Sequence, residues 1–138
     1  MLIDVFNGDA DGLCALLQWR RVHPAAAQRI SGVKRDNALL RWVASGVGAD
    51  LLVLDINFEN NRADVARLLA DGASIRYFDH HYPGERIEHP RLSLTIDESP
   101  QVCTSLLVHR VLQGREPAWA VAGAFGDNLP AVAAALAA

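Results

Sequence analysis

Leu2-Ile3-Asp4-Val5-Phe6-Asn7-Gly8-Asp9-Ala10-Asp11-Gly12-Leu13 opens the chain and decides its fold class. Its first five residues are mostly large and apolar, the pattern of a short buried strand. Polar, glycine-containing residues 7–12 end that strand. Leu13, Leu16, Leu17 and Arg20 then fall at i, i+3, i+4 and i+7, which predicts an amphipathic helix, the apolar stem of Arg20 extending its stripe. Strand, polar turn and helix make the first half of a βαβ unit, and the order recurs. Residues 50–56 (DLLVLDI) and 73–78 (ASIRYF) read as further buried strands, with 29–33 (RISGV) and 92–96 (LSLTI) as weaker ones. Leu39, Leu40 and Val43 carry helical spacing, as do Val65, Leu68 and Leu69 before a stop at Gly72. Val102, Leu106, Val108 and Val111 suggest another helix after Pro100, and residues 130–138 (PAVAAALAA) a last one. This alternation predicts an α/β fold: a doubly wound, mostly parallel sheet of about five strands with helices on both faces.

The chain has 138 residues, 51% hydrophobic and 21% charged, enough for one domain with a real core and against intrinsic disorder. A net charge of −3 argues against a broadly basic nucleic-acid surface. Apolar runs are short or interrupted, and the first residues lack the basic start and apolar stretch of a signal peptide. Cys14 and Cys103 make neither a disulfide framework nor a zinc site, and read as small core residues. These features predict a single domain, 1–138, that is soluble, reduced and cytoplasmic, with no membrane partner. The uncapped helical run at the end leads us to expect the N-terminal part of a longer protein.

Ligands in such a sheet bind beyond the carboxyl ends of the strands. Asn7, Asp9 and Asp11 follow the first strand, Asp55 ends the second strong one, and Asp79, His80 and His81 follow the third. Asp127 follows an apolar helical run and could join them. Each group also has an ordinary reading: Asp-x-Asp-Gly as a turn and helix cap, Asp55 as a cap, Asp79-His80-His81 as a solvated turn. Their convergence on one sheet edge is harder to explain that way. Clustered carboxylates repel one another, and cations relieve the repulsion. Carboxylate and imidazole donors without thiolate suit Mn²⁺, less specifically Mg²⁺, Fe²⁺ or Co²⁺. More than four such donors suit two ions bridged by a carboxylate, the arrangement that hydrolyses phosphate esters. Lys34 and Arg35, in residues 32–37 (GVKRDN), could contact a phosphate or form a solvated turn. Cys103-Thr104-Ser105 opens a helix after Pro100, and its backbone N–H groups could face the same cleft or simply be capped. His23 reads as a helix end, His89 as a surface turn, His109 as an ordinary helical residue, and Trp19, Trp42 and Trp119 as packing residues.

Residues 6–12 (FNGDADG), Leu54-Asp55, Asp79-His80-His81 and Gly126-Asp127-Asn128 resemble, in order, the four motifs of the DHH phosphoesterase superfamily. That superfamily includes single-strand-specific DNA exonucleases, oligoribonucleotide phosphodiesterases, exopolyphosphatases and manganese-dependent pyrophosphatases. The resemblance spans residue 2 to about residue 129. It implies two Mn²⁺ ions, with Asp9 on the first, Asp11 on the second and Asp55 bridging both. His80 and Asp127 would complete the second site, Asp79 would orient an imidazole, and His81 would face the scissile phosphate. Asn7 stands where the family usually has His or Asp, and an amide is the poorer ligand. The implied substrate is a phosphate-containing small molecule or short single-stranded nucleic acid, and homodimerisation stays open. The family's smaller C-terminal substrate-binding domain has no match here. The alternative is a non-catalytic nucleotide- or metal-binding module on the same fold.

Overall fold

β1 (Leu2–Asn7) is buried from Ile3 to Asn7, as expected of a central strand. It is followed by α1 (Ala10–Val22), β2 (Gln28–Gly32), a 3-10 turn (Leu39–Trp42), β3 (Asp50–Leu54), α2 (Phe58–Ala70), β4 (Ser74–Asp79) and β5 (Leu92–Ile96). Three helices complete the chain: α3 (Thr104–Val111), α4 (Pro117–Gly126) and α5 (Pro130–Ala137). The computed structural model describes residues 1–33 and 35–138; Lys34 lies outside the described residues. All four strand pairings are parallel, in the order β2-β1-β3-β4-β5. Strand order reverses between β1 and β3, so the crevice beyond their carboxyl ends is the topological switch point.

Alternation along the strands builds two cores. Ile3, Val5, Leu51, Val53 and Tyr77 meet Val65, Leu68 and Leu69 of α2 and the 3-10 turn on one face. Phe6, Leu52, Leu54 and Phe78 meet Ala15, Leu16 and Trp19 of α1 and Leu107 and Val108 of α3 on the other. Each large side chain buried this way stabilises by about 1.5–3 kcal/mol. A smaller cluster of Cys103, Leu106, Ala124 and Ala133 fastens α4 and α5 to α3. Gly72, at φ +103°, follows the end of α2 where an L side chain would be strained, as its sequence position predicts.

The structure corrects several local expectations. Leu13 is 43% exposed, and α1 instead buries Cys14, Ala15, Leu16, Gln18 and Trp19. α1 packs on α3 and α4 as well as on the sheet, so its buried surface is wider than one stripe. The guanidinium of Arg20, rather than its stem, makes the main contact, pairing with Asp4. The spacing at Leu39, Leu40 and Val43 yields only the 3-10 turn, whose carbonyls are held by Arg67. Trp19 is buried, whereas Trp42 is 63% and Trp119 36% exposed, so neither is a core residue. No helix among the described residues is long and apolar enough to cross a membrane.

Candidate metal centre

The turn after β1 is built tightly. Asp9 caps α1, its carboxylate accepting the Gly12 N–H at 3.0 Å, while the Asn7 side-chain oxygen accepts the Asp9 N–H at 3.2 Å. A side chain at residue 12 would collide with the Asn7 carbonyl, so only glycine permits this approach. The turn directs Asp11 inward, where it is 1% exposed. One Asp11 carboxylate oxygen accepts the Thr104 N–H at 3.1 Å and the other the Ser105 N–H at 2.8 Å. Asp11 therefore caps α3 from across the domain, and the Ser105 hydroxyl donates back to the Asp11 carbonyl at 2.8 Å.

Asp55 leaves β3 in a left-handed conformation, φ +63°, unusual for a residue with a side chain. Its N–H donates to the Phe78 carbonyl at 2.9 Å, and its carboxylate accepts the Thr104 hydroxyl at 2.9 Å. At the end of β4, Asp79 is fully buried. One of its oxygens lies 2.6 Å from His81 Nδ1, and the other has no hydrogen-bond partner. His80 Nε2 lies 3.2 Å from Asp55, 3.6 Å from Asp11 and 3.7 Å from Asp127. Asp127 is delivered by close helix packing: Gly123 lies against Ser105 and Gly126 against Ala10, where added methyl groups would clash.

The electrostatics follow from this crowding. Burial foremost, then the charges of Asp11 and Asp9, push the Asp55 carboxyl up to about 10. Hydrogen bonding to Asp79 raises the His81 imidazole above its ordinary value. Burial, and then Asp11, push the Cys103 thiol well up. No Lys or Arg ion pair reaches Asp11, Asp55 or Asp79 among the described residues. A cation held at about 2.1–2.3 Å leaves its ligand atoms roughly 3–3.7 Å apart. The spacing of His80 from three carboxylates fits that requirement.

The sequence-derived residues fare differently. Asp11, Asp55, His80 and Asp127 converge, with Asp79 and His81 beside them and Asp9 close enough for its charge to act on Asp55. Thr104 and Ser105 are fully buried, with their N–H groups and hydroxyls directed at Asp11 and Asp55. Arg35 is exposed, on the segment after β2 whose Gly32 carbonyl accepts the Gly8 N–H. Sequence reasoning does not anticipate that the Cys103 side chain lies beside these acids. Its sulfur and the carboxylates of Asp11 and Asp127 nevertheless lie within 4.8 Å of one another. The available signal is its position immediately before Thr104-Ser105 at a helix start on the carboxyl edge.

Two solved structures align with almost all of this chain. A manganese-bound exonuclease RecJ matches at a TM-score of 0.61 and 21% identity, covering 98% of this chain and 41% of that one. RecJ from Thermus thermophilus in complex with Mn²⁺ matches at 0.61 and 22%, covering 98% of this chain and 23% of that one. The chain shares its fold with both. It spans less than half the length of either. No protein-family model matches the sequence, and no curated protein gives a significant match.

Proposed function

We propose that this domain is a metal-dependent phosphoesterase of the DHH type, hydrolysing a phosphodiester or phosphoanhydride bond in a short oligonucleotide, a nucleotide or polyphosphate. One observation carries the reading: His80 stands 3.2–3.7 Å from three carboxylates at the switch point of the sheet, and no Lys or Arg neutralises the buried pair Asp11 and Asp55 among the described residues. The fold shared with manganese-bound RecJ and the four ordered motifs support it. Asp11, Asp55, His80 and Asp127 would hold one ion, and Asp9, Asp55 and Asn7 the other. The two divalent cations, Mn²⁺ with Mg²⁺ or Co²⁺ as substitutes, would activate water and neutralise charge on the phosphoryl oxygens. Asp79 fixes His81 through Nδ1, leaving Nε2 to donate to a phosphoryl oxygen, and the raised affinity of His81 for a proton favours the donating form. Thr104 and Ser105 position the Asp55 and Asp11 carboxylates in this reading instead of touching substrate. Arg35 and Lys34 remain the proposed phosphate contacts.

The test is metal analysis beside turnover on bis-p-nitrophenyl phosphate, dinucleotides, 3′,5′-nucleotide bisphosphates and pyrophosphate. His81→Ala is expected to keep its metal and lose roughly 10²–10⁴-fold in rate. Absence of bound metal, or full activity in His81→Ala, overturns the reading. Asn7 supports a second one, because its side-chain oxygen is already engaged by the Asp9 N–H. A first site weakened in this way describes a binding module, recognised by one bound ion and no turnover on any of these substrates.

A further inference from the structure

We propose that the open edge of β2, with the groove around Trp42, is a binding surface for a single strand of nucleic acid whose end is delivered to the metal centre. The inference rests on the phosphoesterase reading above and names its substrate as an oligonucleotide gripped at several points, rather than an inorganic phosphoanhydride. β2 pairs with β1 alone, so its outer hydrogen-bonding groups face no other strand among the described residues. Its carboxyl end adjoins the candidate centre: the Gly32 carbonyl accepts the Gly8 N–H at 2.9 Å, inside the turn that carries Asn7, Asp9 and Asp11. Positive charge is concentrated along this stretch. Residues 24–49 hold Arg29, Lys34, Arg35 and Arg41 against one acid, Asp36, in a chain of net charge −3. Arg29 and Arg35 are exposed and have no ion-pair partner among the described residues.

Beside this edge lies a groove lined by Met1, Ile3, Ile30, Trp42, Val43 and Val47. Met1, Trp42 and Val47 are exposed there, a grouping that packing of the core does not explain. The Arg41 guanidinium stands 5.0 Å from the centroid of the Trp42 ring, which holds the indole in place while leaving it 63% exposed. Arg41 also pairs with Asp36 at 3.1 Å, but both groups are well exposed, so that pair holds the guanidinium weakly. Alternation along β2 puts Arg29 on one side of the strand, and Gln28 and Ile30 on the side of the groove. A chain lying along the edge therefore meets a cation on one side and an aromatic ring on the other. That suits a single strand, whose phosphates and bases leave its backbone in different directions, and exposed aromatics beside basic groups bind such strands by stacking and charge. A neutral peptide would gain from the groove but not from the arginines.

The experiment measures binding of a fluorescein-labelled oligothymidylate by anisotropy in EDTA, beside Mn²⁺ binding and turnover of unlabelled oligonucleotides of increasing length. Trp42→Ala should weaken the oligothymidylate about 5- to 150-fold, with Trp42→Phe close to wild type. Arg29→Ala and Arg41→Ala should each lower the slope of log affinity against log salt by about 0.7. Melting temperature and Mn²⁺ affinity should be unchanged in these variants, which separates loss of the surface from loss of the fold. In wild type, kcat/KM should rise from a dinucleotide to an octanucleotide, and Trp42→Ala should remove that rise. Equal affinity of wild type and Trp42→Ala overturns the surface. So does a dimer, seen in sedimentation, that Trp42→Ala dissociates without any effect on oligothymidylate. Trp42-dependent binding with neither bound Mn²⁺ nor turnover overturns the phosphoesterase reading and leaves the binding surface standing. Turnover of dinucleotides without Trp42-dependent binding does the opposite.

Discussion

Asp4 and Asp55 are both buried carboxylates on central strands, and the fold treats them in opposite ways. Asp4, in β1, is fully buried, and Arg20 of α1 grips it with two hydrogen bonds of 2.9 and 2.6 Å. The chain supplies that charge with its own cation, in the bidentate geometry that makes a guanidinium and carboxylate a strong pair. Asp55, at the carboxyl end of β3, is surrounded by Asp11, Asp9 and Asp79, and among the described residues the Thr104 hydroxyl and His80 stand close enough to offset them. A buried acid beside an arginine holds a structure together. Buried acids placed beside one another create a demand for positive charge from outside.

The contrast should be visible in opposite responses to substitution. The largest effect on folding is expected from Arg20→Met, which leaves Asp4 buried without its partner and should cost about 3–5 kcal/mol in urea unfolding. It should leave metal affinity unchanged, and replacing Asp4 by Leu as well should recover most of the loss. Asp55→Asn should do the reverse. The metal-free protein gains stability near neutral pH, because an amide needs no proton, whereas the buried Asp55 carboxyl has to take one up on folding. The metal-dependent increase, about 2.7 kcal/mol at a hundredfold excess over Kd, disappears. Calorimetry with and without Mn²⁺ measures both signs, and equal metal-induced shifts in Asp55→Asn and wild type would contradict the contrast.

The acidity of Asp55 provides a third measurement. Its carboxyl is raised to about 10 in the folded chain, against roughly 3.9 unfolded, so the native state retains a proton that the unfolded chain releases. Metal-free stability should therefore fall as pH rises from about 4 toward about 10, and both Mn²⁺ and Asp55→Asn should flatten that slope. The smallest effect is expected from Thr104→Val. It removes one hydroxyl donor to Asp55 and should cost about 1–2 kcal/mol with metal bound, with less than about a tenfold loss of metal affinity.

Much of this contrast is legible in the sequence. Short apolar runs mark β1, β3 and β4, and the weaker candidates at 29–33 and 92–96 fall on β2, one residue out of step, and on β5. The edge on which Asp11, Asp55, Asp79, His80 and His81 meet follows from the rule that parallel strands deliver their following residues to one side. The rest depends on contacts between distant segments. The helix start at Thr104 and Ser105 suggests N–H groups facing the cleft, but nothing local identifies Asp11, 93 and 94 residues earlier, as their acceptor. Periodicity treats Arg20 as an apolar stem because its partner, Asp4, lies on a strand 16 residues away. A one-sided helix pattern places Leu13 inside, and it cannot represent a helix buried against both a sheet and other helices. Cys103 reads as a small core residue, and its full burial with Leu106, Ala124 and Ala133 bears that out; its nearness to Asp11 and Asp127 is what one dimension cannot show.

Gly123 and Gly126 carry a consequence for ion size. Their missing side chains let α4 settle against Ser105 and Ala10, which fixes how far Asp127 stands from Asp11 and His80. Mg²⁺ is held at about 2.0–2.1 Å and Ca²⁺ at about 2.3–2.6 Å, so the two differ by only a few tenths of an ångström. That margin is smaller than the displacement a single methyl group would force between these helices. In the proposed centre, discrimination between small and large divalent ions would thus be set by interhelical spacing, through residues that offer an ion no donor atom at all.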